Sequence, residues 1–152
     1  MNVERSNAYG ARVEAVTALV KDWRDAPAAI GQKDCLKAFL MTADHRGLTL
    51  NGVDGLDYTN EAEARSALAA RGYPSLIAAI NAQGFDRIPM SFAWPGDLVA
   101  WAAPNYAAPF DVALYIVQYA GASVVFGVDP ATRTFQSATP LSEPPLACWR
   151  IS

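Results

Sequence analysis

The chain has 152 residues, 52% of them apolar and 18% charged, with 12 Lys and Arg against 15 Asp and Glu for a net charge of −3. This length fits one domain, 1–152, that buries about two-thirds of its unfolded surface, and the composition excludes disorder over most of the chain. The acidic balance and the lack of any basic run argue against a nucleic-acid groove built on Lys and Arg. No apolar stretch reaches membrane-spanning length, so no membrane insertion is expected. The opening MNVERSNAYG carries Glu4 and Arg5 where a signal peptide needs an apolar core, so secretion by that route is not expected. Cys35 and Cys148 are too few for a disulfide scaffold. With the single histidine, His45, they do not suit a structural zinc site, and no metal or cofactor is expected.

The first third reads as helix. Over 11–25, Val13, Val16, Leu19, Val20 and Trp23 recur on one amphipathic face, and Pro27 redirects the chain. Asp34 is a good N-cap for a second helix through His45, with Leu36, Phe39 and Leu40 on its buried side and Gly47 as its stop. Gly, Asn and Asp make 47–60 a loop. Asn60 with Glu63 opens a third helix that ends at Gly72. Pro74 suits the first turn of a short fourth helix that ends at Gly84.

From residue 85 the texture changes to short β-branched and aromatic runs: DRIP, DLVAWAA, DVALYIVQY, ASVVFGV, RTFQSA and LACWRI. Their spacing is too short for βαβ crossovers, so the sheet should be largely antiparallel. Helices first and strands second predict an α+β domain. The Pro-rich TPLSEPPL is a short rigid connection before the last strand.

Cys35 falls in the first helical turn after Asp34, where the macrodipole and free N–H groups favour a thiolate and lower its pKa. The plainer reading is a small buried apolar residue. A cysteine hydrolase needs a base within hydrogen-bond reach. His45 stands ten residues further along the same helix, about 15 Å away at ~1.5 Å per residue. It serves as a base only if that helix breaks early. Cys148, beside Trp149, reads as a packed core residue. Asp97 and Asp111 open strands and read as turn residues, Asp97 capping backbone N–H groups. Asp54, Asp57, Glu61 and Glu63 read as a solvated face and cap, without calcium-loop spacing. Trp94, Trp101, Tyr106, Phe110, Tyr115 and Tyr119 divide between core packing and interface, with PNYAAPF as a loop with aromatic tips.

The order of DCLKAFL, PGDLVAW and DVALYIV resembles the NlpC-type, papain-like cell-wall endopeptidase superfamily. It is closer to a small uncharacterised phage-encoded branch with an Arg- and Trp-containing first helix, here Arg12 and Trp23. The matching motifs are Gly31–Cys35, Gly96–Val99 and Ala147–Ile151, and the resemblance spans nearly the whole chain. It implies N-terminal helices packed on an antiparallel sheet, Cys35 at the nucleophile position and Gln32 as a possible oxyanion donor. Active members open the second strand with a histidine, and Asp111 occupies that position here. A carboxylate beside a thiol raises its pKa and cannot serve as the cationic acid that protonates a leaving amine.

The resemblance therefore implies a catalytically degenerate domain, used as a structural part of a phage tail tip or baseplate. On this reading a former cleft near Cys35, Asp111 and Trp101 is filled or covered. The implied partners are hub and distal tail subunits, and the implied location is the virion, with the host cytoplasm during assembly. Trp101, Tyr106 and Phe110, and loops 47–60 and 102–111, are the interface candidates. The competing reading is a cysteine peptidase or amidase that cuts host peptidoglycan during phage entry, with its base supplied from elsewhere. A third is an assembly chaperone absent from the mature particle.

Overall fold

The computed structural model describes residues 8–152. Its elements are α1 (Tyr9–Trp23), α2 (Cys35–His45), α3 (Glu61–Ala70), α4 (Leu76–Asn81), β1 (Asp86–Arg87), β2 (Leu98–Ala102), β3 (Val112–Tyr119), β4 (Val124–Val128), β5 (Phe135–Ala138) and β6 (Ala147–Arg150). The fold is α+β, and the expected strands form one six-stranded, open, wholly antiparallel sheet of order β1-β6-β2-β3-β4-β5.

Local chemistry sets the helix boundaries. The Asp34 side chain accepts from Lys37 N at the head of α2, and Asn60 accepts from Glu63 N at the head of α3. These caps satisfy amides that lack an intrahelical acceptor. Gly47 (φ 73) terminates α2. In α4 the cap is Ser75, whose hydroxyl accepts from Ala78 N. Pro74 therefore stands before the cap, outside the first turn where its fixed φ had suggested it.

The buried stripe of α1 is Arg12, Ala15, Val16, Leu19, Val20 and Trp23, a period of three and four. Val13, expected on that stripe, is 40% exposed, because Arg12 takes the inward position beside it.

Residue parity divides the sheet between two cores. Leu98, Ala100, Leu114, Ile116, Phe126 and Trp149 face the helices and join Leu19, Leu36 and Phe39. Val99, Trp101, Tyr115, Val117, Val125 and Cys148 face the other way and form a smaller core with Ala93 and Ala122. Loop 47–60 has neither helix nor strand, yet Leu50, Val53, Leu56 and Tyr58 within it are buried. Its apolar side chains belong to the main core and are not available as a contact surface.

Asp97 ties these layers together. Fully buried, it caps its turn by accepting from Trp94 N, and it also accepts from Ile151 N, from Arg12 Nη1 at 2.9 Å and from Arg150 Nε at 2.9 Å. Arg12 and Arg46, both buried, donate to the Ile151 carbonyl. The cap at Asp97 was legible in the sequence, but the arginine network was not. A cation within the buried stripe of α1 was its one signal.

Candidate functional site around Cys35

The turn before α2 is built to hold one backbone path. Gly31 has φ 85, and a Cβ there would stand 2.0 Å from the Tyr58 carbonyl oxygen; only glycine permits this approach. The Asp34 carboxylate, 2% exposed, accepts from Gly31 N, Lys37 N and Tyr58 Oη, each at 2.8 Å. Lys37 Nζ caps the Leu56 carbonyl and lies 5.0 Å over the Tyr58 ring. Loop 56–59 thus clamps the head of α2, and Cys35 shares a cavity wall with Leu114 of β3.

The thiol is not activated. Burial pushes it up first and the Asp34 charge second, to about 12, and the backbone donors pull it back only in part. This reverses the expectation that a helix N-terminus lowers it. The helix terminus acts as expected in sign, but it is outweighed by loss of water and by a capping carboxylate next to the sulfur. The carboxylate responsible is Asp34 and not Asp111.

A cavity of about 350 Å³ opens beside Cys35, and a former cleft filled by side chains is therefore not what is found. Its apolar lining includes Ile30, Phe110, Val112, Leu114 and Leu141, and its polar lining includes Asn105, Tyr106, Arg133 and Glu143. The Arg133 guanidinium lies 4.3 Å over the Tyr106 ring. Of the sequence candidates, Cys35, Tyr106 and Phe110 meet here. Phe110 is only 9% exposed and contacts Tyr58, so it is a wall of the cavity and not an interface tip. Tyr106 remains more than a third exposed.

The other candidates lie elsewhere. Asp111 is exposed, its carbonyl accepts from Ala103 N, and it does not line the cavity. Gln32 is exposed and does not line it either. Trp101 is fully buried in the smaller core, edge-on to Tyr115, with Nε1 donating to the Glu143 carbonyl. Strand parity turns it away from Cys35, so it is neither a cleft residue nor an interface residue. His45 ends an unbroken α2 and is exposed. The sequence reading missed Tyr58 and Arg133, since neither lies in a motif. Among the described residues, no group of three or more His, Cys, Asp or Glu could hold a metal ion, and no helix is long and apolar enough to cross a membrane.

A thiol held neutral in an apolar cavity, with no imidazole beside it, can pack against a ligand but is poorly suited to attack one. The chain belongs to the family described as a domain of unknown function, DUF6950, whose profile matches residues 5–150. No curated protein and no solved structure matches it.

Proposed function

We propose that this chain is a catalytically degenerate NlpC-like domain, serving as a structural, protein-contact component of a bacteriophage tail tip. One observation carries the reading. The thiol at the nucleophile position is pushed up to about 12, and the only histidine of the chain ends the helix that this thiol begins. Further support comes from the helix-on-antiparallel-sheet layering and from the order of the Gly31–Cys35, Gly96–Val99 and Ala147–Ile151 motifs. The partners on this reading are hub and distal tail subunits, and the site is the virion tail tip, reached from the host cytoplasm.

The test is incubation of the purified chain with peptidoglycan fragments. Wild type and Cys35→Ala should release no difference in new amines, and a Cys35-dependent release would overturn the reading. Mass spectrometry of purified particles should find the chain in the virion; finding it only in assembly extracts would assign a chaperone role instead. The open cavity beside Cys35 favours one second reading, a peptidoglycan hydrolase whose base is donated by a partner subunit.

A further inference from the structure

A groove lies away from Cys35, between α1 and the end of β3, with a volume of about 610 Å³. Val16, Val20 and Pro95 form part of its lining. Tyr9, Val13 and Tyr119, which are 51%, 40% and 57% exposed, also line it. Trp94, 43% exposed, meets the Tyr9 ring edge-on at 6.5 Å and extends this aromatic rim. Trp94 is held in place by Arg150 at 4.1 Å and Arg12 at 5.5 Å from its ring. Large apolar side chains gathered in one exposed place mark an interaction surface.

The charges say what would fill it. Lys21 and Arg24 line the groove and, among the described residues, no acidic residue does, although the chain carries net −3. Neither cation forms a salt bridge among the described residues. A second copy of this chain docked symmetrically would bring these cations face to face with themselves, which disfavours self-association here. A phosphate backbone would gain from two cations, but it would leave the apolar lining without a partner.

The geometry points to a docking groove for an acidic, apolar segment of a partner protein. Apolar side chains of that segment seat on Val16, Val20 and Pro95 between Tyr9 and Tyr119, and its carboxylates pair with Lys21 and Arg24. This surface does not depend on the reactivity of Cys35, and its failure would leave the tail-tip reading standing.

The test uses the full chain and an end-blocked synthetic peptide of alternating Glu and Leu, followed through the fluorescence of Trp94. The other tryptophans are buried. Saturable, salt-weakened binding is expected. Lys21→Glu with Arg24→Glu should weaken it about tenfold, since the double reversal turns two attractions to the peptide carboxylates into repulsions. Both residues are exposed, so the variants should fold. The double variant should instead bind the Lys–Leu counterpart of the peptide, and Tyr119→Ala should weaken both. Absence of binding, equal binding of both peptides by wild type, or tighter binding of oligothymidine would overturn the proposal. So would a concentration-dependent dimer lost in the double variant. A gain in affinity on Glu4→Gln would assign the groove to the chain's own leading residues and overturn it as well.

Discussion

The two cysteines occupy unlike positions and end in the same chemical state. Cys35 begins a helix on one side of the sheet, and Cys148 sits within β6 on the other. Burial pushes both thiols up to about 12, and each has a carboxylate as its next largest cause, Asp34 for Cys35 and Asp97 for Cys148. A helix N-terminus contributes about 0.3–1 kcal/mol to a nearby anion. The rise of Cys35 from 9.0 to about 12 corresponds to roughly 4 kcal/mol against ionisation. The helix terminus therefore gives Cys35 no advantage over a cysteine in mid-strand. Position at the head of a helix marks a nucleophile only where water or a base also reaches the sulfur.

The two carboxylates differ more than the two thiols do. Asp97 is paired with guanidinium groups that join α1, β2 and β6, whereas Asp34 is satisfied by neutral donors close to its own turn. Asp97→Ala should therefore be the most damaging change, costing about 3–5 kcal/mol, because it leaves a buried cation unpaired. Urea denaturation measures it, and a loss under 1 kcal/mol would show that the network is dispensable. Gly31→Ala comes next at about 2–3 kcal/mol, from positive φ and a collision with the Tyr58 carbonyl. A wild-type melting temperature for that variant would mean the clamp on α2 yields easily.

The thiols make a shared prediction about pH. Each has a folded-state pKa above its ordinary 9.0, so the stability it lends is fully present below pH 9 and is lost as pH rises towards 12. Urea midpoints should fall between pH 9 and pH 11, and by less in Cys35→Ala. An unchanged slope in that variant would contradict the assigned burial of its sulfur.

The smallest expected effect separates the two cysteines. Asp34→Asn removes the neighbouring charge and weakens a cap worth about 1 kcal/mol. Alkylation of Cys35 should then begin at lower pH, still above that of a free thiol because burial remains, while Cys148 should not move. Equal shifts at both sites would point to general loosening.

Much of the local architecture was legible in the sequence. Asp34, Asn60 and the glycine at 47 fixed helix ends, and the six strand runs fell where β-branched and aromatic residues cluster. The place of β6 between β1 and β2 was not legible, because partners more than forty residues apart are chosen by core packing, not by any local signal. The facing of Trp101 was equally hidden. In LVAWA every residue is apolar, so alternation gives no parity. At the site, the cap role of Asp34 was readable and its effect on the adjacent sulfur was not, since that effect depends on both groups being withdrawn from water.

The insertion of β6 has a consequence for biosynthesis. Residues 86–87 and the free side of β2 have no strand partner until 147–150 have been translated, and Asp97 waits as long for Arg150 and the amide of Ile151. The central edge of the sheet therefore stays open during synthesis until residues 147–150 have emerged.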